Sequence, residues 1–291
     1  MHKKSDRLLM SRREFGIVAG AAAAGMSFDF HTRFLRSAFA AETAADIIPG
    51  KSPEMLIHNA KLGVMETPLT LLRKYAHTPK EILFCRFHYP HEGDASWYAS
   101  LKPPAREDWT LEIDGLVARP RRVKLADIEK MNMVKRVSVL QCAGNGRSFY
   151  AAKQKVGGGQ WLNGGMGNVE WEGTPLREFL DAQKVLPADT VHWLTAEGWD
   201  QPATPEGSDF SKSYHIADAA LDHAILAVKM NGEPIPAAHG GPLRLIIPGF
   251  YGNMNVKMLT KLLLMSEQSP SVFQSLGYRF PLMPVEPGTF G

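Results

Sequence analysis

The chain has 291 residues, 44% of them hydrophobic, with a formal net charge of +3. That length is enough for a sizeable core in one large domain or two small ones. Residues 1–40 carry seven Lys or Arg against three Asp or Glu, so the remainder is −1; the sequence pI of about 8.8 belongs to the amino-terminal segment and excludes a nucleic-acid surface.

The amino terminus reads as an address. Ser11-Arg12-Arg13-Glu14-Phe15 is a twin-arginine pattern. A weakly apolar run of Ala and Gly follows over 16–25, then a small-x-small site at Ala38-Phe39-Ala40. The run is too short and too Gly/Ala-rich to span a bilayer. The order of these pieces predicts a twin-arginine signal peptide over 1–40 and one domain over 41–291, exported to the periplasm by the twin-arginine machinery with no stable membrane span. The competing reading is a basic disordered arm with an Ala-rich helix. Export of a folded protein suits a cofactor inserted beforehand, without naming it.

Residues 41–80 read as mostly irregular, with a helical piece over 69–75. Residues 81–86 are strand-like. Alternation over 109–115 predicts a strand that turns at Asp114-Gly115, a hairpin signal. A short helix is predicted over 125–131 and a strand over 135–141. Residues 157–167 form a glycine-rich loop, and 174–183 an amphipathic helix. Apolar strands follow over 190–196, 224–230 and 243–248. Many short strands with few long helices point to an α+β fold with mixed sheets and short helices.

The segment Val139-Leu-Gln-Cys-Ala-Gly-Asn-Gly-Arg147 places Cys142 on a turn straight after a β-branched run. A thiolate held there is a good soft metal ligand, and Arg147 can clamp an anion by bidentate hydrogen bonds. In Leu83-Phe-Cys-Arg-Phe-His-Tyr-Pro90, Arg86 and His88 would share one face of a strand. That pair suits an anion; an ordinary strand-end salt bridge is the competing reading. Cys85, His88 and His91 offer a zinc alternative, but their spacing fits a helix better than a strand and no fourth ligand is evident. A Cys85–Cys142 disulfide is disfavoured, because both cysteines lie in candidate site motifs. In Glu233-Pro-Ile-Pro-Ala-Ala-His-Gly-Gly-Pro-Leu-Arg-Leu-Ile-Ile-Pro-Gly249, His239 and Arg244 precede Lys257. Each is ordinary alone; together they suit a phosphate group. The 157–167 loop lacks the Gly-Lys-Ser/Thr ending of a P-loop and the strand–turn–helix setting of a dinucleotide fold.

Cys142 and its neighbours resemble the cysteine motif of the sulfite oxidase family. The resemblance covers most of 50–285 and is closest to the bacterial periplasmic sulfite dehydrogenase branch. It implies the family's molybdopterin-binding fold and a molybdenum–molybdopterin cofactor, with Cys142 as the metal ligand. It also implies that His88, Asp200 (in Ala196-Glu-Gly-Trp-Asp200), His239, Arg244 and Lys257 bind the cofactor. Arg86, Arg147 and Tyr278 would serve sulfite or a similar small oxyanion. The implied reaction is oxygen-atom transfer giving sulfate. The chain has no Cys-x-x-Cys-His haem motif, so the expected acceptor is a separate c-type cytochrome. The family usually continues into an immunoglobulin-like dimerisation domain that supplies a further substrate-site arginine. This chain stops at Gly291, so the expectation is a monomer or weak dimer with weaker sulfite binding. Two other functions stay open: reduction of an S- or N-oxide with the same cofactor, and a non-catalytic remnant of the fold.

Overall fold

The computed structural model describes residues 43–89, 103–185, 189–202 and 207–279. The twin-arginine pattern, the apolar run, the Ala38-Phe39-Ala40 site and His91 lie outside them. The first elements are small. Helix α1 (Ala44–Ile47) is capped by Thr43, whose N–H and hydroxyl both donate to the Asp46 carboxylate, at 2.8 and 2.7 Å. Strands β1 (Leu56–Asn59) and β2 (Val64–Glu66) pair antiparallel, and helix α2 (Leu69–Leu72) follows.

The remaining strands build two five-stranded sheets. In chain order they are β3 (Thr110–Gly115), β4 (Arg121–Lys124), β5 (Val134–Gln141), β6 (Met166–Pro175), β7 (Trp193–Gly198), β8 (Ser211–His215), β9 (Ile225–Met230), β10 (Glu233–Pro234), β11 (Arg244–Ile246) and β12 (Leu259–Met265). One sheet has the order β10-β9-β6-β5, with β11 also paired to β9; the other runs β4-β3-β12-β7-β8. β12 lies parallel to β3 and antiparallel to β7, so this second sheet is mixed. Helices α3 (Leu125–Ile128), α4 (Leu176–Ala182) and α5 (Val272–Ser275) are short. The fold is thus α+β.

Local sequence explains the main strands. β3 buries Leu111 and Ile113 and leaves Glu112 and Asp114 half-exposed, the period of two expected of a one-sided strand. β9 is nearly continuous in apolar residues and is buried almost throughout, as suits a strand covered on both faces. The Trp109 indole N–H donates to the Leu259 carbonyl at 2.9 Å and ties the start of β3 to β12.

Several expectations need correction. Residues 81–86 are not a strand. Pro79 starts a turn in which its carbonyl accepts from Ile82 and Leu83 N–H, and only Cys85 bridges to Met65. The carbonyls of Lys80 and Leu83 are taken by the Lys51 ammonium, and that of Ile82 by the Thr67 hydroxyl, so no ladder is needed. The hairpin turn falls after Gly115, because β3 runs through Asp114-Gly115 before β4 begins. The helix expected from 174 starts at Leu176, since Thr174 and Pro175 finish β6. β6, β8 and β12 escaped the sequence reading. β8 reads as polar, yet Ser211–Tyr214 is buried, with Thr195 and Ser213 hydroxyls paired at 2.7 Å and those of Ser211 and Ser269 at 2.5 Å. Cys85 and Cys142 are both free, and Cys85 packs into the main core. No cluster of three or more His, Cys, Asp or Glu able to hold a metal occurs among the described residues. No helix among them is long and apolar enough to cross a membrane.

The long connection between β5 and β6 is pinned from behind by Glu66, which is buried. Its carboxylate accepts from Leu162 N–H at 2.8 Å and Gly164 N–H at 2.5 Å, and meets His58 Nε2 at 2.6 Å. Burial alone would raise the Glu66 carboxyl. The His58 and backbone hydrogen bonds outweigh it and hold the group below its ordinary value. Gly164 has no room for a side chain: a Cβ would sit 1.7 Å from the Thr67 carbonyl oxygen.

Two measurements check this anchoring. Gly164→Ala should destabilise the protein by about 2 kcal/mol or more in denaturant unfolding, while Gly157→Ala, where a Cβ meets nothing within 4 Å, should stay within about 0.5 kcal/mol. The depressed Glu66 pKa contributes stability that is present above its unfolded value of 4.5 and lost as pH falls through the folded value. Glu66→Gln should therefore flatten the acid limb of the stability curve below about pH 4.5; an unchanged limb would show that Glu66 is not the anchor.

Candidate functional site

β5 carries the chain to Cys142. The β5–β6 pairing ends at Gln141 opposite Met166, and the Cys142 N–H extends it by donating to the Gly165 carbonyl at 2.8 Å. The chain then turns sharply. Asn145 N–H donates to the Cys142 carbonyl at 3.0 Å, and Gly146 takes φ +84°, where a side chain would be strained. Gly144 N–H points at the Cys142 sulfur, at 3.4 Å. The glycine-rich segment backs this turn: Gly146 N–H donates to Leu162 O at 2.6 Å, Ser148 N–H to Trp161 O at 3.0 Å, and Gly165 N–H to Asn145 Oδ1 at 2.9 Å. Trp161 is buried against Phe84 and His58.

Cys142 opens on a cleft of about 690 Å³ of empty space, part of it open to solvent. Arg86, His88, Asp200, His239, Arg244, Lys257 and Tyr278 line the same cleft. They come from the turn before residue 89, the end of β7, the loop before β11, β11 itself, the approach to β12 and the chain after α5. Arg147 is not in its wall. Its Nη1 donates to the Gly159 carbonyl at 3.1 Å, and a Cβ on Gly144 would lie 2.8 Å from its Cζ. Arg86 and His88 do converge, although no strand sets their common face.

Electrostatics single the cleft out. None of Lys51, Arg86, Lys212, Arg244 and Lys257 forms an ion pair among the described residues. Arg86 Nη1 is buried with no hydrogen-bond partner there, and so is Asn253 Oδ1, also in the wall. Arg244 spends Nε on the Asn255 carbonyl at 3.2 Å and Nη1 on that of His239 at 2.8 Å. Burial lowers its pKa to about 9. Lys257 donates to Ala238 O at 3.0 Å and Arg86 O at 3.2 Å, with its Nζ 3.5 Å from the Phe87 ring centroid. Burial lowers it to about 7. Asp200 is pushed up to about 6 by burial, against the pull of Lys257. Burial and nearby cations put His88 and His239 well below the ordinary imidazole value, so both are neutral at pH 7. His239 Nε2 lies 2.8 Å from Lys51 Nζ and 2.9 Å from the Lys80 carbonyl. The Cys142 thiol is raised by burial, with Gly144 N–H, Arg86 and Arg147 opposing. Tyr278 is also raised by burial, and its hydroxyl meets His88 Nε2 at 2.6 Å.

Sequence reasoning did not single out Lys51, Glu66, Lys212 or Asn253. Lys51, Glu66 and Lys212 are distant in sequence from the motifs they support, and Asn253, though four residues before Lys257, has no motif of its own. A soft sulfur donor beside unpaired buried cations and an orphaned guanidinium nitrogen fits an anionic, phosphate-bearing cofactor with a soft metal.

Comparison with known proteins agrees. Residues 99–273, more than half of the chain, match the family model of the oxidoreductase molybdopterin binding domain. Mitochondrial sulfite oxidase of Drosophila melanogaster is 34% identical over 217 residues, covering 74% of this chain and 35% of that protein. Sulfite oxidase of Gallus gallus is 29% identical over 236 residues, covering 79% of this chain and 49% of that one. The crystal structure of the sulfane dehydrogenase SoxCD from Paracoccus pantotrophus superposes with a TM-score of 0.61 at 25% identity, covering 88% of this chain and 57% of that one. The chain thus spans well under two thirds of these relatives. Its family nevertheless implies a molybdenum–molybdopterin cofactor, for which the cleft has the donors. The chain belongs to the oxidoreductase molybdopterin-binding domain family, in the sulfite oxidase group.

Proposed function

We propose that this chain oxidises sulfite to sulfate by oxygen-atom transfer. The observation that carries the reading is Arg86: a buried, unpartnered guanidinium nitrogen in the wall of the cleft that holds the Cys142 thiol. Such a donor is costly unless an anion completes it. When bound, the molybdenum cofactor supplies the two-electron oxygen-atom chemistry. Cys142 would ligate the metal, losing its proton as it does so. Asp200, His239, Arg244, Lys257 and His88 would hold the pterin and phosphate.

The residues' own part is binding, orientation and proton handling. Arg86 draws in the oxyanion and fixes it by charge-assisted hydrogen bonds. Tyr278 keeps its phenolic proton at neutral pH, as a tyrosine ordinarily does, with burial raising it further, and neutral His88 lies within hydrogen-bond reach. Together they can hold a substrate oxygen and relay a proton. Arg147 acts on the anion in this reading only if it leaves the Gly159 carbonyl; otherwise it braces the cysteine turn. Electrons then pass singly to a separate c-type cytochrome in the periplasm, with export by the twin-arginine machinery supported by residues 11–15.

The reading is tested by molybdenum and pterin analysis, with steady-state assays of sulfite plus cytochrome c against a sulfoxide plus reduced dye. Cys142→Ser should lose both molybdenum and turnover, whereas Cys85→Ser should keep most of each; equal loss in both would sink the assignment. Arg86→Gln should lower kcat/KM for sulfite about ten- to hundredfold, the equivalent of about 1.5–3 kcal/mol for a charged hydrogen bond. Molybdenum content should stay intact. Arg147→Gln should cost less kcat/KM than Arg86→Gln, and the reverse order would put Arg147 on the substrate.

A further inference from the structure

Lys212 lies on β8 behind the cleft and is only 1% exposed. Its ammonium forms no ion pair among the described residues. It donates to the carbonyl of Phe273 in α5 and faces the ring of Tyr278, 4.6 Å from the centroid, with the Phe210 ring at 5.7 Å. A buried ammonium with only a carbonyl and ring faces for partners is unfavourable unless something is gained. Each of those partners belongs to the structure around Tyr278.

Tyr278 needs holding. Its φ is +62°, the left-handed region that non-glycine residues rarely adopt. Such a conformation persists only where surrounding contacts over-determine it. Gly277 N–H donates to the Val272 carbonyl at 2.6 Å and closes the end of α5, which brings the chain to Tyr278. The hydroxyl end of the ring is then fixed by His88. His88 is itself stacked on Phe210, with ring centroids 4.3 Å apart, and meets Phe273 edge-on at 5.2 Å. Lys212 is the cation beneath this box. It joins β8, the last turn of α5 and the tyrosine ring in one contact set.

We propose that Lys212 is a positioning residue: clamped by the Phe273 carbonyl, its ammonium holds the Tyr278 ring so that the phenol projects into the cleft beside His88. Lys212 does not line the cleft, so it acts through Tyr278 and not on substrate. Its charge contributes because a cation over a ring face is worth more when desolvated. The kinetic consequence rests on the sulfite reading above; the placement of the ring does not.

The test uses the full-length holoenzyme labelled with 13Cζ-tyrosine, the Tyr278 resonance being assigned by its loss in Tyr278→Phe. In Lys212→Met that resonance should move away from its wild-type position, while Lys212→Arg keeps it there. Should Lys212→Met fail to fold, Lys212→Gln supplies the same comparison, since it keeps a donor to Phe273 and drops the charge. An unmoved resonance in the neutral variant overturns the inference. In sulfite kinetics Lys212→Met should lower kcat/KM by about tenfold, with molybdenum content unchanged. In the Tyr278→Phe background the same change should have less than about a twofold effect; an undiminished further loss would also overturn it. A wild-type enzyme without sulfite turnover, whose Tyr278 resonance still responds to Lys212→Met, would sink the sulfite reading and leave the clamp standing.

Discussion

Positive charge buried without ion pairs among the described residues is the constraint on which the site depends. Lys51, Arg244 and Lys257 are satisfied by backbone carbonyls: those of Lys80 and Leu83, of His239 and Asn255, and of Arg86 and Ala238. A carbonyl completes a hydrogen bond but brings no net charge, so the cleft stays electropositive. Burial, reinforced by that field, keeps His88 and His239 neutral, and burial lowers Lys257 to about 7. An anion entering the cleft relieves the cost of burying these cations and raises Lys257 again. Ligand binding and folding stability are linked in this way, because the anion binds the folded arrangement and not the unfolded chain.

The thiol is held by a different device, a turn made almost wholly of backbone. Cys142, Asn145, Gly146 and Ser148 each donate or accept a main-chain bond with the turn itself or with the facing loop over residues 161–165. Glu66 fastens that loop from the side away from the cleft. The position of the sulfur therefore depends on β2, through Glu66, as much as on the residues next to it. Loss of that carboxylate would free Leu162 and Gly164 N–H groups in a buried setting, a worse outcome than removal of an exposed contact.

Much of this was legible in the sequence, and the parts that were not share a cause. Local alternation marked β3, a β-branched run marked β5, a continuous apolar run marked β9, and turn chemistry marked the cysteine segment. The residues singled out by motif meet around one cleft, Arg147 excepted. What failed was anything decided by distant partners. Residues 81–86 are apolar enough for a strand, yet their carbonyls are claimed by Lys51 and Thr67. β8 looks like a loop because its seryl hydroxyls carry no apolar signal; they are satisfied by Thr195 of β7 and by Ser269 beyond β12. In the sequence the glycine-rich loop and the helix clip β6 at its ends and 168–173 carries no assignment, because Gly167 and Gly173 interrupt its apolar face. In both glycines close packing is the reason: a Cβ would lie 2.3 Å from Leu83 Cδ1 and 2.2 Å from the Leu226 carbonyl oxygen. Lys51, Glu66 and Lys212 were invisible for the same reason, since a buried charge is recognised by its surroundings and not by its neighbours in sequence.

The cleft is built unevenly, and the unevenness has chemical sense. On the side of His239, Arg244 and Lys257, the groups are held by backbone carbonyls, which suits a large group held permanently. On the side of Tyr278, a side chain on a strained backbone is kept in place by His88 and Lys212 at the end of a short helix. Fewer contacts there leave a lower cost of local rearrangement. On the sulfite reading, the small oxyanion and its product would pass the less constrained side, while the side that would bind phosphate has no reason to open. On that reading the same asymmetry accounts for Arg86 Nη1 having no hydrogen-bond partner among the described residues where Arg244 has two. A guanidinium that must release its anion at every turnover gains nothing from a permanent protein partner. One that anchors a resident group can give two of its donors to the fold.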